Sequence, residues 1–368
     1  MAKRESKIGK LIKTLVVLIL IVIIGAIIFI KFNTGAAAEF TDNYLRPLLG
    51  NTFVGFLEKT YFNTSDKIQQ ITNYNGLENV PQFLDQGIES STSTPIPINS
   101  NLPRVTGEGI WHNRPLKLFP NEQVMAYTFV RPDPTRPFAY VTLVQLDMTK
   151  LNIMAVAGTK QPGGPIGNPG PGKIPQDIVQ NGRLVAAFDG GFQYRDGEYG
   201  MIVGNKTYVP LEQNIGTLVG YNDGSIKIVN YTGQDLGKDV SFIRQNCPIL
   251  IENGQVFVSN ENNKKLWGRT FNANIFTWRS GIGITAQGNL IYAVGNNLSP
   301  ESLAEALKMA GAQNAIQLDI NPFWVRFNIF DSEGDGKYKI STLTKDLKDG
   351  SKDYLNGYSK DFFYIYNR

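Results

Sequence analysis

One histidine and one cysteine in 368 residues rule out more chemistry than any motif in the chain announces. A structural zinc site needs four Cys or His ligands and a catalytic one usually keeps two or three, so His112 and Cys247 cannot furnish either. A Ser-His-Asp or Cys-His nucleophile would have to recruit His112, which in Gly109-Ile-Trp-His-Asn-Arg114 reads better as a packing or surface residue. Cys247 has no second cysteine to join, so the fold rests on its core, and a small buried hydrophobe is the plain reading of this residue. Nucleotide motifs are missing too. There is no Walker A sequence, and Gly281-Ile-Gly283 lacks both the third glycine of a dinucleotide fingerprint and a helix to open.

Net charge is also lacking from most of the chain. Of 36 basic and 32 acidic residues, the first thirteen hold Lys3, Arg4, Lys7, Lys10 and Lys13 against Glu5, leaving 31 of each sign for the other 355. Net charge therefore gives no support to a nucleic-acid-binding face, and nucleic acid is not an expected partner.

The basic residues instead precede Thr14 to Ile30, seventeen uncharged residues rich in Leu, Val and Ile. Such a run is a minimal transmembrane helix, and its positive flank keeps the N-terminus in the cytoplasm. The alternative is a secretory signal cleaved near Ala38, within Ala36-Ala37-Ala38; the length of the apolar run favours the anchor. Both readings place the rest of the chain outside the cytoplasm. The expected organisation is a basic tail over 1–13, an anchor over 14–30, a helical segment and polar linker over 31–100, and a main domain over 101–368.

Within the third region, Thr41 to Phe62 is expected to be helical: Asp42 can cap it, and Tyr44, Leu48, Phe53, Phe56 and Leu57 recur at helical spacing. The Ser/Thr/Pro-rich stretch after it reads as a linker. Past residue 100 the pattern is of strands. Tyr140 to Leu146 alternates, Leu151 to Ala157 is an apolar run, and Ser225 to Val229, Gln255 to Val258 and Leu290 to Val294 are short β-type segments. Asn222-Asp223-Gly224, Asn253-Gly254 and Gly288-Asn289 supply hairpin turns. One helix interrupts them, with Ser299 as cap, Pro300 in its first turn, Leu303 and Leu307 on one face, and Gly311 at its end. The fold class is α+β, a mainly antiparallel or mixed sheet with few helices. Gly158 to Pro175, with six glycines and five prolines in eighteen residues, is a loop: a lid or a plain surface excursion.

Two apolar strands each deliver an aspartate into a turn: Leu184 to Phe192 carries Asp189 and Ala315 to Trp324 carries Asp319. With histidine and cysteine set aside, carboxylates, arginines, amides and aromatics remain, which are the parts of a glycan or phosphate site. Asp189, Glu198, Asp319 and Arg279 are the candidates. Phe192, Tyr194, Trp278, Phe323 and Trp324 offer flat faces for sugar rings, although rings in strands are commonly core. Asp189, Asp319 and Asn321 could also hold calcium or magnesium. Asp331-Ser-Glu333-Gly-Asp335-Gly336 imitates an EF-hand opening, but Thr342 stands at its twelfth position, so a polar turn is expected.

Taken in order, Phe188-Asp-Gly-Gly-Phe192, Gly200-Met-Ile-Val-Gly204, Trp278-Arg-Ser-Gly-Ile-Gly283, the helix ending at Gly311 and Gln317-Leu-Asp319 resemble the phosphodiester glycosidase domain family. The family includes N-acetylglucosamine-1-phosphodiester glycosidases and bacterial exopolysaccharide-associated relatives. The resemblance covers about residues 140 to 330 and implies hydrolysis between an anomeric carbon and a phosphodiester. On that basis Arg279 would hold the phosphate, Asp319 would serve as acid/base and Asp189 as second carboxylate, with Glu198 a further catalytic candidate. Gly190, Gly191, Phe192, Trp278, Asn321, Trp324 and Arg326 are the expected substrate contacts. The implied partner is a cell-surface glycan or sugar-phosphate polymer. Two departures stand out. Asp189 occupies the position of the family's usual Asn, and Ile320-Asn-Pro-Phe-Trp324 replaces a glycine run, removing backbone N–H groups that could meet a phosphate. A glycan-binding module that keeps the fold without catalysis is the alternative.

Overall fold

A computed structural model describes residues 40–72, 80–84, 87–89, 93–98, 101–258, 267, 276–320 and 322–368. The basic tail, the apolar run Thr14 to Ile30, Ala36 to Ala38 and Asn321 lie outside the described residues. No helix among the described residues is long and apolar enough to cross a membrane.

The chain divides into two compact units, residues 1–57 and 58–368. In the first, helical turns over Thr41–Leu45 and Arg46–Leu49 end at Gly50, whose φ of 80° suits a residue without a side chain. The turn at Thr41–Leu45 starts without a side-chain cap, where Asp42 had been expected to supply one. Helix α1 (Asn51–Thr72) then continues past the expected end at Phe62. Tyr44, Leu48, Phe53 and Phe56 are exposed. In the second unit the last turns of α1 are tied down by an Arg136–Asp66 ion pair and by Asn297, whose amide donates to Gln69 Oε1. Arg136 also lies 3.6 Å from the centre of the Phe276 ring.

Strands dominate the second unit. In chain order they begin with β1 (Ile88–Glu89), β2 (His112–Asn113), β3 (Met125–Val130), β4 (Val141–Leu146), β5 (Leu151–Val156), β6 (Leu184–Asp189), β7 (Met201–Val203) and β8 (Lys206–Val209). Next are β9 (Ile215–Tyr221), β10 (Ile226–Tyr231), β11 (Val240–Gln245), β12 (Ile249–Glu252), β13 (Gln255–Val256) and β14 (Thr277–Thr285). The last are β15 (Leu290–Leu298), β16 (Ala312–Ile320), β17 (Phe327–Gly334), β18 (Lys337–Thr342) and β19 (Phe362–Asn367). Helices α2 (Gln176–Gln180), α3 (Pro300–Met309) and α4 (Ser351–Asn356) are the remaining α-helical elements described. The expected fold class, mainly antiparallel sheet with few helices, is what the second unit shows.

The strands form three antiparallel sheets. One runs β1-β2-β3-β4-β15-β14-β16-β12-β13, a second β10-β9-β11-β7-β8, and a third β18-β17-β6-β19-β5. Alternation along the strands sorts side chains into layers. Leu290, Tyr292 and Val294 of β15 enter a central core with Phe188 and Phe363 of the third sheet and Phe242 of the second. Ile291 and Ala293 face the other way, into a cluster with Leu303 and Leu307 of α3. Beyond the third sheet, Leu184, Ala187, Phe330 and Phe362 pack with Ile178 of α2 and Tyr354 of α4.

Local signals behave as read. Ser299 Oγ accepts from the Ser302 N–H at 3.1 Å while Ser302 Oγ accepts from the Ser299 N–H at 2.9 Å, closing a capping box before Pro300. The hairpin turns fall at Asn222–Gly224, Asn253-Gly254 and Gly288-Asn289, and Asp335-Gly336 makes another between β17 and β18 within the EF-hand-like segment. The described parts of the expected linker join the domain: Phe83 bridges to Thr344, the Ile96 N–H donates to Gly109 O at 2.8 Å, and Ile88–Glu89 pairs with β2. The Gly158–Pro175 loop is stapled to the chain before β19, where the Thr159 N–H donates to Tyr358 O and the Lys160 and Gln161 N–H groups to Ser359 O.

Candidate active site

The two aspartates come from different sheets and meet at one end of the central layer. Asp189 ends β6; Ser280 of β14 and Tyr292 of β15 reach it across the gap from the large sheet. Ser280 Oγ donates to Asp189 Oδ2, while Asp189 Oδ1 accepts from Tyr292 OH at 2.7 Å and from the Arg326 N–H at 3.1 Å. Ser280 Oγ in turn accepts from the Asp319 N–H at 3.1 Å, so one hydroxyl links the two acidic positions. Asp319 Oδ2 is paired with Lys360 Nζ, and its Oδ1 accepts from the Ile320 N–H at 2.8 Å. Trp324 lies across Lys360, with Nζ 4.5 Å from the ring centre.

Bulges aim these groups. Arg279 stands opposite Ile320 and Gly281 opposite Gln317, so two residues of β14 face three of β16 and the end of β16 is turned beside Asp319. On the other side Thr277 faces Leu298 and Arg279 faces Gly295, which places the extra residue in β15, where Asn297 has φ 60°. Both irregularities sit at the Ser280 end of β14.

Electrostatics follow from burial. Asp189 is 2% exposed and Asp319 3%. Loss of water pushes the Asp189 carboxyl up to about 6 against the pull of Ser280, Tyr292, the Arg326 N–H and Lys360. It pushes Asp319 up to about 7, with Lys360 pulling down and the Asp189 charge adding to the rise. The four carboxyl oxygens are each engaged by a protein donor, an arrangement built for protons rather than for a divalent ion. Among the described residues no group of three or more His, Cys, Asp or Glu could hold a metal.

The other expected site residues are placed differently. Arg279 is buried on the opposite side of β14 from Ser280, as strand alternation requires. Its Nε donates to Leu298 O at 2.8 Å and Nη1 to Gln317 Oε1 at 3.0 Å, and burial pushes its guanidinium down to about 10. Glu198 is exposed, on a turn with φ 56°. Trp278 is half-buried and packs on the central core. Arg326 turns its side chain to Asp353 Oδ2 at 2.5 Å.

Gly190, Gly191 and Phe192 are held by a second buried group. Arg244 pairs with Asp361 at 2.8 Å, and Asp361 Oδ2 accepts from the Gly191 N–H at 2.9 Å. Arg244 Nη2 donates to Phe192 O at 3.0 Å, and the Phe192 N–H donates to Asn246 Oδ1 at 2.8 Å. A Cβ on Gly190 would stand 2.2 Å from Asp361 Oδ2 and one on Gly191 2.5 Å from Arg244 Nη2, so both glycines serve the close approach to this pair.

Ser280, Tyr292, Lys360, Asp361, Arg244 and Asn246 escaped sequence reading. Ser280 lay within the motif that drew attention to Arg279. Lys360 and Asp361 stand far from both aspartates in sequence, and nothing local marks them.

Residues 181–319 match the phosphodiester glycosidase family model, which bears out the resemblance carried by the motif order and ends at Asp319. Among solved structures, the zebrafish N-acetylglucosamine-1-phosphodiester alpha-N-acetylglucosaminidase catalytic domain, auto-inhibited by its pro-peptide, is 13% identical. The match covers 81% of this chain and 99% of that one, with a TM-score of 0.42. A hypothetical protein from Synechocystis is 12% identical over 66% of this chain and 62% of its own, with a TM-score of 0.37. No curated protein matches the chain.

Proposed function

We propose that this chain, with its phosphodiester glycosidase region at 181–319, hydrolyses the bond between a sugar's anomeric carbon and a phosphodiester oxygen, using Asp319 and Asp189 as its acid and base. The observation that carries the reading is the buried pair itself: two carboxyls pushed to about 7 and about 6 and linked through Ser280. Between those values one proton resides on the pair. Asp319 then gives it to the departing phosphate oxygen, while Asp189, held as a carboxylate by three donors, takes one from the attacking water. The anomeric C–O bond breaks and a C–O bond to water forms, leaving a free sugar and a phosphomonoester. Lys360 balances the charge left on Asp319.

The substrate is a sugar phosphodiester in a cell-surface polymer, and the protein is tethered by its N-terminal apolar run with the catalytic unit outside the cytoplasm. The charge asymmetry around Thr14 to Ile30 supports the tether. One observation favours a second reading, a glycan-binding module without turnover: the carboxyl pair is covered, and Trp324 lies over Lys360. A chromogenic sugar-1-phosphodiester distinguishes the two. Hydrolysis by the wild type that disappears in Asp319→Asn supports the enzyme, whereas equal background in both, with glycan pull-down retained, supports the module.

A further inference from the structure

The segment that stands in place of the family's glycine run builds an ordered surface of rings and cations. Phe323 is buried and Trp324 half-buried, with ring centres 6.2 Å apart. Lys348 Nζ sits 4.3 Å from the centre of the Phe323 ring, and Lys360 Nζ 4.5 Å from that of Trp324. Contacts thus run without a break from Lys348 through Phe323, Trp324 and Lys360 to Asp319. Arg326 joins the same surface, its Nε donating to Phe323 O at 3.2 Å.

We propose that this wall is the subsite for an anionic sugar unit next to the reacting bond, with Lys348 as the residue that selects for its charge. The proposal rests on the hydrolase reading for its position and goes beyond it in naming a second charged group on the substrate.

Three features support it. A sugar ring is bound by a flat aromatic face, which Trp324 supplies half-exposed. A lysine held over a ring keeps its ammonium in one place, so little side-chain freedom is lost when an anion arrives. Lys348 and Arg326 are also close enough to repel: burial, then the Arg326 charge, pushes the Lys348 amine below its usual value. A carboxylate or phosphate between them relieves that repulsion. The nearest carboxylate of the chain is occupied elsewhere, since Asp349 Oδ1 accepts from Asn328 Nδ2 and from the Ser351 N–H, each at 2.8 Å. Asp353 is committed to Arg326.

Calorimetry on the full chain in mild detergent tests this with three probes: a glucose tetrasaccharide, the same tetrasaccharide carrying a 6-phosphate, and a glucuronic-acid tetrasaccharide. One acidic probe at least should bind about tenfold tighter than the neutral one, the scale of one charge-assisted hydrogen bond, and which one binds identifies the anion. Lys348→Ala should remove that advantage and leave the neutral probe unchanged; Lys348→Arg should restore it. Equal affinity for neutral and acidic probes, no binding of any probe, or an acidic advantage that survives Lys348→Ala overturns the proposal. Binding is read without turnover, so a chain that selects acidic probes yet hydrolyses no phosphodiester fails the hydrolase reading and keeps the subsite.

Discussion

Replacing Asp189 by asparagine should make the protein less sensitive to pH, and the structure sets both the sign and the size. Burial raises the carboxyl from 3.8 to about 6 in the folded state. The folded protein therefore holds this proton more tightly than the unfolded chain does. Its contribution to stability is complete below about 3.8 and is lost as pH rises through about 6. At about 1.4 kcal/mol per pH unit, that window is worth about 3 kcal/mol. Asparagine never ionises, so Asp189→Asn escapes the loss. The change is also accommodated: Oδ1 can still accept from Tyr292 OH and the Arg326 N–H, while the new amide donates to Ser280 Oγ. Urea unfolding of both proteins at steps from pH 4 to pH 8 measures the difference. The variant should gain about 3 kcal/mol on the wild type across the window, with most of the change between pH 4 and pH 6. A stability difference that stays flat with pH would refute the claim that Asp189 takes up a proton in this interior.

The same pair should give a bell-shaped rate profile with limbs near 6 and 7, and Lys360→Met, which removes a charge that lowers Asp319, should move the upper limb to higher pH. Asp361→Asn leaves Arg244 buried without its carboxylate and should cost about 3 to 5 kcal/mol in thermal or urea unfolding. Gly190→Ala forces a Cβ to within 2.2 Å of Asp361 Oδ2 and should cost about 1 to 3 kcal/mol, read the same way.

Much of the fold was legible because the signals are local. Ser299, Pro300 and Gly311 bound a helix through groups a few residues apart, and Asn253-Gly254 makes its turn through its own backbone preferences. The family resemblance was legible for a related reason, since the order of short motifs survives in the chain even where the glycines after Asp319 do not. The site was only half legible. Asp189 and Asp319 could be marked as strand-end carboxylates, but Arg279 and Ser280 are neighbours in one strand, and which of them faces the aspartates depends on strand parity and on bulges.

The sequence alone determined that the chemistry, whatever its substrate, would fall to carboxylates, because His112 and Cys247 leave few other acids, bases or nucleophiles to use. It also determined where each aspartate would end its strand. Only the tertiary structure decided that the two ends meet, because the meeting depends on two sheets packing face to face. Lys360, brought in from the last strand, and Tyr292, from the opposing sheet, then set the charge state of the pair. Those contacts reward no local pattern, so no local pattern records them.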